Sequence, residues 1–168
     1  MGGAGHRRAG RGGVPVTPDE RFALVRPRPC PPAAPPPWFR PVSIAGGHAY
    51  LSGQVPFDAD GRLLAVGRLG AEVDLATGVR CARQCAVNLL AVLARTPPGL
   101  AGVDQLLKLT VFVACAPDFT AQPEVANGAS ELLAEVLGEH GAHARSAIGV
   151  ASLPLGAPVE IELIARLR

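Results

Sequence analysis

DLATGVRCARQCAVNLLAVLAR, residues 74–95, together with the LLKLTVFV that follows at 106–113, decides the fold class. In the first stretch Leu75, Val79, Ala82, Ala86, Leu89, Leu90 and Leu93 recur at three- and four-residue spacing, which predicts an amphipathic helix over 74–94. Asp74 is placed to cap its first turn, and Arg95 sits where a cation meets the helix dipole favourably. Thr96-Pro97-Pro98-Gly99 stops it. In the second stretch Leu107, Leu109, Val111 and Val113 alternate with Lys108, Thr110 and Phe112, the pattern of an internal strand with two usable faces. The apolar face of the helix has to be buried, and the sheet is the surface available to bury it.

Working outward, Val42, Ile44, Ala49 and Leu51 read as a hairpin turned by Gly46-Gly47. Leu63 to Val66 reads as a further short strand or edge segment. On the C-terminal side a second helix is expected from about Val125 to Leu137, with Leu132, Leu133, Val136 and Leu137 as its core side. Arg145 to Ala151 and Val159 to Leu167 complete the set as strands. The order β-β-(β)-α-β-α-β-β gives a two-layer α+β domain, a mixed sheet with two helices on one face. The domain is expected to span residues 38–168. Residues 1–37 read as a disordered or extended Arg/Gly/Pro-rich arm, within which Thr17-Pro18-Asp19-Glu20 can cap a very short helix over Arg21–Val25.

Composition narrows the function classes. With 48% hydrophobic but only 4% aromatic residues among 168, the core has to be aliphatic. The net charge of +2 hides an asymmetry: residues 1–40 carry seven arginines against Asp19 and Glu20, and the rest of the chain is mildly acidic. A nucleic-acid reader should carry its positive stripe on the folded body, so nucleic acid is disfavoured as a partner, although the basic tail leaves contact with RNA or an acidic partner open. Cys30, Cys81, Cys85 and Cys115 form no CxxC pair and read as free thiols. No apolar run reaches membrane-spanning length and no targeting segment is evident, so a cytoplasmic location without membrane attachment is the expectation. His140 and His143 lack a third residue at metal-ligand spacing, and no phosphate loop or nucleophile elbow is present, so no metal or cofactor is expected.

Two features remain. Arg145 is the only charge in its strand, and its guanidinium fork matches a carboxylate or phosphate. It either grips a small acid or pairs with an internal glutamate. Glu160 and Glu162, two apart in the last strand, leave the same face, opposite to Val159, Ile161 and Leu163. They line a solvated face or a subunit interface, unless Glu160 faces a pocket beside Arg145, where it can hold a water molecule and exchange a proton.

Several stretches, in one order, resemble the RidA/YjgF family, long described as endoribonuclease L-PSP. They are Tyr50-Leu51-Ser52-Gly53-Gln54-Val55-Pro56, Leu109-Thr110-Val111-Phe112-Val113, Asp118-Phe119, Ala144-Arg145-Ser146-Ala147-Ile148-Gly149-Val150, Leu153-Pro154 and Val159-Glu160-Ile161-Glu162. The resemblance runs from about residue 38 to 167, closest to a longer branch of the family. It implies a chorismate-mutase-like fold, a homotrimer with clefts between subunits, and hydrolysis of 2-aminoacrylate-type enamines and imines to ammonia and a 2-oxo acid, without metal or cofactor. On the same basis Arg145 binds the carboxylate of a small metabolite, Glu160 activates water, and Ser52, Gly53, Phe39 and Asn127 shape the cleft. The alternative is a non-catalytic, carboxylate-binding or regulatory trimer. Three positions depart from the family pattern: Phe39 stands at a tyrosine position, Ala147 where a reactive cysteine is common, and Gly149 where some members carry a glutamate.

Overall fold

The computed structural model describes residues 16–32 and 35–168. The expected hairpin is present as β1 (Val42–Ala45) and β2 (His48–Gln54). Ala45 lies opposite His48, which leaves Gly46 and Gly47 as a two-residue turn with φ of 54° and 75°. Two successive positive φ values are what a primed turn demands, and glycine adopts them without strain.

The first long helix, α2 (Leu75–Arg95), starts as expected, with the Asp74 carboxylate accepting from the Thr77 N–H at 2.7 Å. A 12-residue strand, β3 (Val103–Ala114), follows, then α3 (Gln122–Leu137), β4 (Ala144–Val150) and β5 (Val159–Leu167). The sheet order is β1-β2-β5-β3-β4, with β4 parallel to β3 and the other pairs antiparallel. Helices α2 and α3 pack against each other and cover one face, so the two-layer α+β reading holds.

Three boundaries differ from expectation. Helix α3 begins three residues early, at Gln122, because Pro123 falls in the first turn, where no N–H is needed. The strand expected over Leu63–Val66 is absent, leaving one isolated bridge between Phe57 and Leu63. The loop closes on itself instead: Asp58 Oδ1 accepts from the N–H groups of Asp60 and Arg62, both at 2.9 Å. The short helix in the arm is α1 (Pro18–Leu24), one residue shorter at its C-terminal end than the stretch expected to reach Val25. A reciprocal capping box between Thr17 and Glu20 starts it, and Pro18 occupies its first turn.

The arm is strapped to the body. Val25 is buried, and Arg21 Nε donates to Val136 O at 2.6 Å. Two buried amides on α2 hold the following segment: Gln84 Nε2 donates to Arg28 O at 3.0 Å, and Asn88 Oδ1 accepts from Cys30 N at 2.9 Å. Asn88 also donates to Val55 O and Phe57 O, so one side chain ties arm, helix and loop together. The disorder expected for the first residues of the arm falls largely on 1–15, outside the described residues. All four cysteines are free thiols; burial pushes Cys81 up to about 11 and also raises Cys85 well above the ordinary thiol range. These two are core side chains rather than nucleophiles. Among the described residues no helix is long and apolar enough to cross a membrane.

Candidate functional site

Arg145 stands in the edge strand β4, paired with Leu109 of β3, which pairs in turn with Leu163 of β5. Both leucines are buried on the helix-covered face. Partners across a sheet share a face, so the Arg145 side chain leaves on the helix side, at the uncovered edge. There the first turns of α3 receive it. Nη1 donates to Asn127 Oδ1 and Ser130 Oγ, both at 3.0 Å, and Nη2 donates to Pro123 O at 3.4 Å. A chain of bonds lies behind Ser130. His143 Nδ1 lies 2.6 Å from Gly141 O, which can only accept, so Nδ1 carries the proton. His143 Nε2 then accepts from the Ser130 hydroxyl at 3.0 Å, which aims the oxygen lone pairs of Ser130 at the guanidinium.

The internal glutamate that would have made Arg145 purely structural is absent: among the described residues its partners are all neutral. No carboxylate among the described residues forms an ion pair with it. Among the described residues its Nε–H makes no bond, and Nη2, on the same edge of the fork, makes only the 3.4 Å bond to Pro123 O. That edge fits both oxygens of a carboxylate.

Glu160 pairs with Phe112 of β3 and leaves the opposite, open face. Burial pushes its carboxyl above the usual range, and the like charge of Glu162 adds to the effect. Gly53 makes room for it: a Cβ at that position would overlap Glu160 Oε1. Gly53→Ala is therefore expected to drive the carboxylate outward into water while leaving the core intact. An NMR titration of the Glu160 carboxyl should show its pKa falling back toward the ordinary value, and an unchanged titration would contradict the contact.

The raised carboxyl has a second consequence. Between its ordinary and its raised pKa, the folded state holds a proton that the unfolded state releases. Stability from this group is complete below the ordinary value and declines as pH climbs through the window. Glu160→Gln removes that decline, so its Tm should match wild type near pH 4 and exceed it slightly at pH 7. Partial exposure keeps the gain small. A variant no more stable than wild type at pH 7 would contradict the desolvation.

Within one chain, then, Arg145 and Glu160 do not meet. They lie on opposite faces of the sheet, with β3 between their strands. The open face that carries Glu160 also carries Glu162, Thr110, Phe112 and the bond from Lys108 Nζ to Ser146 Oγ at 2.6 Å. Tyr50 and Ile148 lie half exposed on it, at 46% each.

The remaining expected residues divide the same way. Asn127 is in the Arg145 cluster. Phe39 and Gly53 line a cavity of about 540 Å³ between the proline arm and α2, with Gln54, Asn88 and Arg95. The hydroxyl of Ser52 is engaged locally, donating to Arg40 O at 2.7 Å, while its N–H bonds Pro41 O. Ser52 thus pins the segment that carries Phe39.

A family model described as Endoribonuclease L-PSP matches residues 31–167. The chain belongs to this family. Among curated relatives of this L-PSP chain, Protein TCP17 of Trypanosoma cruzi is 41% identical over 124 residues, covering 73% of this chain and 77% of that one. Among solved structures, Atu1372 of Agrobacterium tumefaciens, a protein with unknown function, is 40% identical. It superposes with a TM-score of 0.80 over 90% of this chain and 92% of that one. The YjgF gene product of E. coli is 30% identical, with a TM-score of 0.57 over 83% and 94%. Residues 31–168 make up about 82% of the chain, so the match to Atu1372 reaches back into the arm.

Ser130 is the member of the L-PSP chain's Arg145 cluster that sequence reading missed. Its signal was present: Asn127 and Ser130 are three apart, which places both on one helical face. The role of His143 behind Ser130 had no sequence signal beyond its position two residues before Arg145.

Proposed function

We propose that this chain is a hydrolytic deaminase of small enamine and imine intermediates of the 2-aminoacrylate type, working in clefts between copies of itself. The observation that carries the reading is the Arg145 guanidinium held only by neutral acceptors, with its Nε–H unpaired among the described residues, which suits a carboxylate. Because Glu160 occupies the other face, only a second copy can present it to that carboxylate. The half-exposed Tyr50 and Ile148 on the open face supply apolar surface for such an assembly.

In the assembled cleft, Arg145 anchors the substrate carboxylate and Glu160 of the neighbouring copy holds a water molecule. Water adds across C=N, its proton passing through Glu160 to the nitrogen, and the carbinolamine expels ammonia to leave the 2-oxo acid. A carboxyl with a raised pKa suits both halves of this exchange.

The test is ammonia release from a freshly generated imine. Wild type should exceed the uncatalysed rate, and Glu160→Gln should lower kcat by about a hundredfold or more. Sedimentation should show a trimer at micromolar concentration, and a monomer would remove the shared cleft. A second reading, a carboxylate-binding trimer without turnover, is favoured by one feature: near the cleft Phe39 has no hydroxyl and Ser52 is committed to Arg40 O. Saturable 2-oxo-acid binding with no ammonia release would select it.

A further inference from the structure

Ser130 sits in the middle of α3, where a serine hydroxyl ordinarily bonds the carbonyl one turn back. Among the described residues this hydroxyl makes no such bond. It reaches off the helix instead, donating to His143 Nε2 at 3.0 Å and accepting from Arg145 Nη1 at 3.0 Å. The imidazole is in the tautomer a base needs. Nδ1 carries its proton and donates it to Gly141 O at 2.6 Å, which leaves the Nε2 lone pair on the Ser130 hydroxyl.

The base is held in place. A Cβ on Gly141 would lie 2.5 Å from Leu133 O, so the turn that orients His143 is seated on the α3 backbone, three residues beyond Ser130. Ser130, His143 and Arg145 are each half-buried, and Asn127 beside them is exposed, so the group is open to a small reagent. A hydroxyl, a base aimed at its proton, a third group fixing that base and a cation where negative charge develops are the parts of an activated nucleophile.

We propose that Ser130 is a nucleophile and His143 its base, giving the chain acyl-transfer activity toward small esters with good leaving groups. The Ser130 oxygen attacks the carbonyl carbon while its proton passes to His143 Nε2. The tetrahedral oxyanion forms beside the Arg145 guanidinium. The C–O bond to the leaving group then breaks, His143 returns the proton to the departing alcohol or phenol, and an acyl-Ser130 ester remains. Water attacks that ester by the same route, releasing the carboxylic acid and restoring the hydroxyl. Behind His143 stands a backbone carbonyl, which fixes the tautomer without the charge that would stabilise an imidazolium. Esters with stable leaving anions, such as phenyl esters, need the least help from the base, and amides need the most. The pair needs no carboxylate ligand on Arg145, so it stands or falls separately from the deaminase reading.

Labelling of the full chain with a fluorophosphonate, which phosphonylates activated serine oxygens and releases fluoride and a proton, tests it by intact mass and peptide mapping. Wild type should gain a single phosphonyl group, on Ser130. It should also release about one equivalent of p-nitrophenol in a burst from p-nitrophenyl acetate. Ser130→Ala should take no label. His143→Gln keeps an acceptor for the Ser130 hydroxyl but cannot hold its proton, so its labelling rate should fall about a hundredfold or more. A wild-type chain that takes no label, or takes it elsewhere, overturns the nucleophile. A His143→Gln chain labelled as fast as wild type makes the pair a structural clamp and overturns the base. If either variant does not fold, the presence or absence of label on Ser130 in wild type decides alone.

Discussion

Arg145→Ala is expected to weaken pyruvate binding by about a hundredfold or more while shifting Tm by only a few degrees. Two charge-assisted hydrogen bonds to a carboxylate are worth about 1.5–3 kcal/mol each. Their joint loss corresponds to a factor of at least about a hundred. The groups left behind are Asn127 Oδ1, Ser130 Oγ and Pro123 O, none of them fully buried, so water can replace the guanidinium. Arg145→Lys should fall between: it restores charge without the planar fork, and the two N–H groups that hold Asn127 and Ser130 cannot both be reproduced. Calorimetry on the three proteins reads the effect. A variant that keeps wild-type affinity would make Arg145 a clamp on α3 and nothing more.

Alternation along each strand was enough to place side chains relative to their neighbours. Glu160 and Glu162 do share a face, as do Arg145, Ala147 and Gly149. What alternation could not supply was the relation between strands. The two last strands are consecutive in the chain but not adjacent in the sheet, because β3 lies between them. A pairing register shifted by one residue exchanges the faces, and no local signal in β4 or β5 fixes it. Arg145 and Glu160 stand out in the sequence as unusual residues, but their separation emerges only from the topology.

The arm shows the same division. Its capping box was readable because all its parts lie within four residues. Its attachment was not, because it depends on Gln84 and Asn88, more than fifty residues away in sequence. Inside an amphipathic helix these two amides look like ordinary polar positions. In the structure they are buried, and the arm gives them carbonyl and N–H partners. Likewise, Leu63–Val66 had the composition of a strand, but the Asp58 carboxylate claims the backbone N–H groups at the turn before it.

Gly128→Val is expected to cost more than about 3 kcal/mol, the upper range for overpacking, and to lower Tm by roughly 6–12 °C. Glycine inside a helix is a local loss of about 1 kcal/mol against alanine, so its presence in the middle of α3 calls for a reason. The reason is the backbone of α2. A Cβ on Gly128 would overlap the Val79 carbonyl oxygen and lie 3.0 Å from both Val79 C and Cγ1. Backbone cannot swing aside as a side chain can, so the helices have to separate along their whole contact. Gly128→Ala should cost about 1–2 kcal/mol, its gain in helix propensity offset by the same displacement. Urea denaturation with an unchanged m-value checks both, and an alanine variant more stable than wild type would contradict the close crossing. The effect should reach the candidate site, because Asn127 and Ser130 flank this glycine on the same helix. Shifting α3 off α2 moves both acceptors relative to Arg145, so Gly128→Ala, which should still fold, is expected to lose carboxylate affinity several-fold without touching any group that contacts the ligand.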